Sequence, residues 1–574
     1  MRHRERDSGA GAGEQSAVSC VTTVYPVAMP PGWPISQNLP MNPRPARIAA
    51  LLALASLLLA ADAPGQVAQA EPPAPPIGVI EVSSREVFDE RGGGLFAPHR
   101  IANRLHVRTR DHIIRRELLF ETGDPLDREL IDQTERNLRA LWFLRDARVE
   151  TAEVDEDLDG RPERVDVLVT TWDRWSLAPR LDFSQVQNRT IWEIGASEKN
   201  FLGFGKSITV SHRQNLDRVT DRLRYQDPQL LGSNVGLAAS VAGLSDGHER
   251  LLTLDRGYLS LRDPWAFSAG VVSVALTEPI VEHGVEVERL PVRGEFVDLE
   301  LGRALLRGPN HAVRMHGGFR AHEVQVGEDL RDYTGPEVGL RSVSHRFVRL
   351  THVNQFERTE DFNLGTESHA VLRLSAPAFG GREAVFVSAG HRHGLQLRDD
   401  HFVILGVGFD GRRERGGWRN TVAAVNARYL RKHSSRTAFV GKLDYAHGHD
   451  FDPEIQLRLG AETGLRGYPV RQFTGTRSLL LSAEERVFFA DDVWQLFSFG
   501  VAGFVDSGFV WPAGRPVDVG DLRTGVGVSL LVGSHRLASR GGVRFDLGYA
   551  LNPVEGVDGR PKHWVGAAFS DIDF

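Results

Sequence analysis

The chain has 574 residues, room for two or more domains, and its formal charge of -7 argues against nucleic acid as a partner. Glycine is abundant at 59 residues and cysteine nearly absent at 1, so no disulfide framework holds this fold. A long chain without disulfides needs another source of stability, and a large closed sheet in a membrane supplies one.

Residues 1–40 read as an over-called start, with Met41 as the true one. Met41-Asn42-Pro43-Arg44-Pro45-Ala46-Arg47 is a basic leader, 48–60 is apolar, and Val67-Ala68-Gln69-Ala70 offers an Ala-x-Ala site. Together they predict a cleavable signal peptide, so that 1–70 is not part of the mature fold. The apolar run is too short to span comfortably as an anchor. Cys20 lies upstream of it, leaving the mature chain without cysteine.

Residues 71–175 mix periods. A first strand is expected over 77–87, a glycine-rich loop over 90–98, and a helix over 109–120, where Ile113, Ile114, Leu118 and Phe120 recur at helical spacing. Thr122-Gly123-Asp124-Pro125 breaks that helix. A second amphipathic helix follows over 127–141, with Leu130, Ile131, Thr134, Leu138 and Leu141 on one side, then strands over 147–154 and 165–171. The order β-α-α-β-β carries no catalytic cluster, which points to a binding module.

From 176 to 574 the period becomes two. Val543, Phe545, Leu547 and Tyr549 interleave with Arg544, Asp546 and Gly548, and Val501 and Val505 interleave with Ala502, Phe504 and Asp506. One face is apolar, the other small or charged. Roughly 400 residues of hairpin pattern, at ~25 residues per strand and loop, give about 16 strands, a size typical of outer-membrane barrels. After the leader no apolar run of 18 residues occurs, which excludes helical spans. The chain ends on Ile572 and Phe574, two apart and so on one face, as a terminal barrel strand would. The predicted fold class is an α+β domain followed by a transmembrane antiparallel β-barrel of about 16 strands.

Within this stretch Gly464-Leu465-Arg466-Gly467-Tyr468 is an unusual loop. Its glycines permit close backbone approach, its tyrosine can pack, and its arginine calls for a carboxylate. Phe504, Asp506 and Gly508 share one strand face by their spacing, as do Glu484 and Arg486.

These residues, with Asn200-Phe201-Leu202-Gly203-Phe204-Gly205 and Asp173-Arg174-Trp175-Ser176, resemble the BamA/TamA-type outer-membrane assembly proteins, the bacterial surface antigen family. The resemblance covers nearly all of 77–574. It implies that 71–175 is a single POTRA domain in the periplasm and that 200–205 belongs to an early barrel strand. It further implies that 464–468 is a lid loop folded into the lumen, received there by Phe504, Asp506 and Gly508. Arg466 would then pair with Asp506, or with Glu484 as the alternative. The implied partners are outer-membrane lipids, unfolded outer-membrane or secreted clients, and periplasmic or lipoprotein factors; no cofactor or metal is implied. Two departures stand out. Glu485 falls on the outward register and so belongs at an interface or a bulge, and the terminal segment lacks the family's glycine where it is expected.

Two other functions compete. A passive outer-membrane pore or secretion channel would show the same alternation. An esterase could use Ser245, since Gly243-Leu244-Ser245-Asp246-Gly247 matches a nucleophile elbow, but alternation resumes at once and the strand-turn-helix context is missing.

Overall fold

The computed structural model describes residues 74–88, 97–155, 162–186, 189–282, 284–537, 542–555, 561–563 and 565–571. The leader, and Ile572 and Phe574, lie outside the described residues.

The first unit is a three-stranded sheet covered by helices. Strand β1 (Ile77–Arg85) pairs in parallel with β3 (Arg164–Asp173), and β2 (Leu144–Val154) pairs antiparallel with the other side of β3. β1 and β2 are therefore both edges. Three helices separate β1 from β2: α1 (Ala97–Leu105), α2 (Asp111–Arg115) and α3 (Arg128–Ala140). α3 starts where expected because Asp127 caps it, its carboxylate accepting from Glu129 N at 3.0 Å. Ile131 and Leu138 of α3 are buried with Ile113, Ile114, Phe120, Phe143, Val167 and Val169 in one core.

Two expectations for this unit need correction. α1 overlaps the expected loop only at 97–98, and no element is expected over 99–105; it is anchored by Asn103, which bonds both Phe88 N (3.1 Å) and Phe88 O (2.9 Å). The helix expected over 109–120 is only Asp111–Arg115. Beyond it the chain turns to meet other elements: Leu119 N donates to Thr134 Oγ1 at 3.2 Å, and Ile77 N to Asp124 O at 2.8 Å.

From Leu177–Val186 to Val565–Asp571 the described residues form one closed antiparallel ring of 20 strands. The expected count of about 16 was low because many connections are very short. Ser245-Asp246, for example, is a two-residue turn between Gly236–Leu244 and Gly247–Arg256. Side chains alternate sharply. Along Gly542–Ala550 the odd positions Val543, Phe545, Leu547 and Tyr549 are exposed while Arg544 and Asp546 are buried. Apolar outside and charged inside is the reverse of a soluble barrel and the arrangement of a membrane one. Glu485 does lie on the outward face, close to the ring's N-domain end, within 3.4 Å of His433. A register shift follows at Phe488/Ala490.

The ring is uneven. Adjacent strands share seven or more residue pairs, except where Val565–Asp571 meets Leu177–Val186. Among the described residues that seam has three: Gly566 with Val186, Ala567 with Gln185 and Ala568 with Ser184.

Residues 200–205 are a turn between Arg189–Glu198 and Ser207–Gln214, not part of a strand. The reason is local: Asn200 Oδ1 accepts from Gly205 N at 2.7 Å, closing the loop on itself. The turn is also the joint with the first unit. Asn200 Nδ2 donates to Thr109 Oγ1 (2.8 Å), Arg110 N to Gly203 O (3.1 Å), and a Cβ on Gly203 would stand 2.4 Å from Arg108 O. Asp173, from the second motif, accepts from Thr109 N at 2.7 Å and faces His106 Nε2 at 3.1 Å.

Candidate functional site

The long connection 450–476 does not extend away from the ring. It folds into the lumen as a lid whose short strands, Leu457–Leu459 and Phe473–Gly475, pair with each other. Leu465 and Tyr468 are fully buried against Leu480, Val510 and Ala550 of the wall. Tyr468 Oη donates to Thr524 O at 2.9 Å. This burial accounts for the apolar and aromatic positions of the motif: they anchor the loop, and the arginine between them is carried inward.

Arg466 reaches both predicted carboxylates at once. Its Nε and Nη2 donate to Asp506 Oδ2 (2.6 Å) and Oδ1 (2.8 Å), a bidentate fork, while Nη1 donates to Glu484 Oε2 (2.8 Å). The guanidinium lies 3.5 Å from the centre of the ring of Phe504, another inward side chain of that strand. Burial opposes the charge on Arg466, but the Asp506 hydrogen bonds and the carboxylates of Asp506, Glu484 and Asp546 outweigh it. They hold its pKa above the usual arginine value.

The site is larger than the motif suggests. Arg486 Nε donates to Glu484 Oε1 at 2.6 Å, and Arg544 donates to both Glu484 oxygens at 3.1 and 2.7 Å. Arg544 also bonds Asp546 at 2.9 Å, and Ser482 Oγ and Ser529 Oγ donate to Asp506 and Asp546 at 2.6 and 2.5 Å. Three guanidiniums thus face three carboxylates, so no charge is left buried without a counterion.

Close approach of the lid backbone depends on glycine in the wall. A Cβ on Gly525 would lie 2.2 Å from Arg466 O, and one on Gly548 2.8 Å from Gly467 N. Gly467 itself has φ +89°, a conformation that disfavours other residues. Gly508 leaves room for the Leu459 side chain, which a Cβ there would meet at 2.8 Å. The sequence reading did not assign Gly525, Gly548, Arg544 and Asp546 to this site. The available signal was inward glycine in two adjacent strands, plus an Arg544-x-Asp546 spacing that mirrors Glu484-x-Arg486.

No family model matches the chain. A curated relative does: the outer membrane protein assembly factor BamA of Neisseria meningitidis serogroup B is 24% identical over 197 residues, 33% of this chain and 24% of that protein. Over that stretch the chain is similar to a BamA-type assembly protein. The match spans about a quarter of the relative's length. Solved structures with a similar outline include BamA from Haemophilus ducreyi lacking POTRA domains 1–3. It has a TM-score of 0.35 and 12% identity, with 86% of this chain and 84% of that one covered. Another is CdiB from Acinetobacter baumannii, with a TM-score of 0.42, 13% identity, and 86% and 74% covered. At these scores the ground for the fold is the strand pairing itself.

Other candidates resolve into structure. Ser245 lies in a hairpin turn with its Oγ accepting from Val219 N of the neighbouring strand at 3.1 Å, and no helix follows it. Among the described residues two clusters hold metal-ligand side chains close together, Glu300-His316-Glu337 and Glu357-Asp492-His535. In each an arginine already supplies the cation: Arg320 bonds Glu300 and Glu337, and Arg536 bonds Asp492. Among the described residues no helix is long and apolar enough to cross a membrane, which says nothing of strands.

Proposed function

We propose that this protein assembles or translocates polypeptides at the bacterial outer membrane. The first unit acts as a POTRA domain over 71–175 in the periplasm, and 176–574 is the membrane barrel. The observation that carries the reading is the seam: among the described residues three pairs join the first and last strands, against seven or more elsewhere. A strand edge in lipid is costly unless another strand covers it, so a short seam is where a client strand could be templated hydrogen bond by hydrogen bond. β2 and β1, as free edges of the first sheet, suit capture of an extended client by strand addition. The lid network then serves to keep the wall next to the seam rigid while the seam opens.

The mature chain has no cysteine, so the seam can be locked selectively. Gln185→Cys with Ala567→Cys, positions paired across it, should form a disulfide that stops client assembly and releases it on reduction. Depletion followed by outer-membrane proteomics identifies the clients. A locked seam with undiminished assembly would refute lateral insertion and favour the passive channel. Crosslinkers along Ala147 to Val154 of β2 test the capture step.

A further inference from the structure

The connection between Asp329–Ser344 and Thr366–Ser375 is a second inward segment, at the opposite end of the lumen from the lid. It forms a hairpin, Phe347–Leu350 paired with Glu360–Asn363. Its tip fills the mouth. Val353 is buried with Phe402, Ile404, Leu430 and Val440, and Phe356 with Phe488, Ala502 and Leu531, so that six successive strands line it. A ring of 20 strands encloses a wide lumen, and barrels above 16 to 18 strands need a plug to stay closed.

The wall holds this tip mostly by its main chain. Lys432 Nζ donates to Thr351 O and His352 O, each at 3.0 Å. Arg486 Nη1 donates to Val353 O at 2.7 Å and to Asn354 Oδ1 at 3.0 Å. A side-chain contact, His352 Nε2 to Asp491 at 3.1 Å, adds to these. Two cations take three consecutive carbonyls across a turn, with His352 at φ +56°, and the groups used are ones every residue presents whatever its side chain.

The outer end of the hairpin is held by the first unit. Asp361 accepts from Arg139 of α3 in a fork, Nη2 to Oδ1 at 2.9 Å and Nε to Oδ2 at 3.1 Å. Arg358 donates to the backbone oxygen of Arg139, and the Arg136 guanidinium stands 5.6 Å from the Phe347 ring.

We infer that Lys432 and Arg486 form a seat for the main chain of a polypeptide that turns on entering the lumen, that 351–354 is its resident occupant, and that α3 keeps it there through Arg139–Asp361. The inference rests on a polypeptide being the cargo. It links the two inward segments, because Arg486 bonds both the hairpin and Glu484, the lid's acceptor. Movement of α3 on capturing a client would pull the hairpin from the seat and leave the cations to the incoming chain.

Planar-bilayer recording on the full-length protein tests this. Asp361→Asn should raise the frequency of open events about tenfold or more, and replacing 351–358 by a Gly-Gly link should hold the channel open. A synthetic peptide with the sequence of 347–363, added to the open variant, should block it, and a scrambled peptide should block within several-fold of the same concentration. Lys432→Met should weaken both blocks at least tenfold, and Lys432→Arg should retain them; heat-modifiable mobility confirms that each variant is folded. A linked variant that conducts no more than the parent overturns the plug, and blockade by the native peptide alone overturns the main-chain seat. Client assembly is scored separately in cells: if blockade behaves as expected while depletion alters no outer-membrane protein, the seat stands and the assembly reading falls.

Discussion

The lid and the hairpin both fold into one lumen, yet they are held by opposite means. The lid is fixed by side chains: Arg466 in a fork on Asp506, Tyr468 buried, and a wall stripped to glycine at Gly525 and Gly548. Those contacts are specific in shape and charge, and all lie between parts of the barrel. The hairpin packs Val353 and Phe356 on the wall, but its polar hold runs through main-chain oxygens and an ion pair to a separate unit. A segment bound by groups that any chain possesses can be exchanged, whereas one bound by a matched charge network resists exchange. The lid is therefore built to stay and the hairpin to leave.

The largest effect expected is at the lid. Arg466→Ala leaves Asp506 and Glu484 buried beside fewer cations, a loss of about 3 to 5 kcal/mol for a fully buried pair. It should lower the temperature at which heat-modifiable mobility is lost and impair assembly while membrane insertion persists. Arg466→Lys should be nearly as poor, since an ammonium cannot reproduce the fork. A wild-type melting curve for either would mean the network is dispensable and the contrast with the hairpin is false.

Next comes Gly525→Ala. Gly525 has an ordinary backbone conformation, so alanine costs nothing locally, but its Cβ would stand 2.2 Å from Arg466 O. The lid backbone has to move although every charge is retained. Cysteines replacing Arg466 and Asp506 should crosslink with a short reagent in an otherwise unaltered chain and lose that crosslink when Gly525→Ala is added. Persistence of the crosslink would show that the lid tolerates displacement as the hairpin does.

The two segments also differ in how far the sequence revealed them. Arg466, Asp506 and Glu484 were legible because a charged fork and its receiving strand leave fixed residue types at fixed spacing. The glycine cradle was legible only in hindsight, since glycine serves too many ends to point to one partner. The hairpin left no trace: main-chain carbonyls are present everywhere, and Arg139 and Asp361 lie 222 residues apart with no pattern joining them. The strand count erred for a related reason, because connection length is not encoded in alternation. The first unit's core and α3 were legible from periodicity, while α1 depends on the Asn103 anchor, which no periodicity reports.

A smaller effect is expected from Asp127→Ala, which removes the cap of α3 and should cost about 1 kcal/mol. Asp127 also pairs with Arg262, whose other nitrogen bonds Glu129 at 2.7 Å, so the variant loosens α3 from the barrel as well. If α3 holds the hairpin, open events should become modestly more frequent while the lid crosslink stays unchanged. An equal change in both would mean that α3 acts on the barrel as a whole.

The smallest expected effect is a pH dependence confined to the hairpin. Burial pushes the Glu360 carboxyl up to about 7, with the amides of Gln355, Val353 and Asn354 and the charge of Arg486 pulling the other way. A carboxyl whose folded pKa lies above its unfolded value favours the closed hairpin most when protonated. That contribution is complete below about pH 4.5 and is lost as pH rises through 7, by at most about tenfold per pH unit. Open events should therefore increase between about pH 4.5 and 7 and level off above, and Glu360→Gln, which cannot ionise, should flatten the rise. The nearby groups that face it are Arg486 and Lys432 on the wall and the His352–Asp491 contact. A His352→Gln background separates that histidine's contribution. A rise that survives Glu360→Gln in that background would place the titrating group elsewhere, while lid crosslinking that followed the same pH curve would erase the distinction between the two segments.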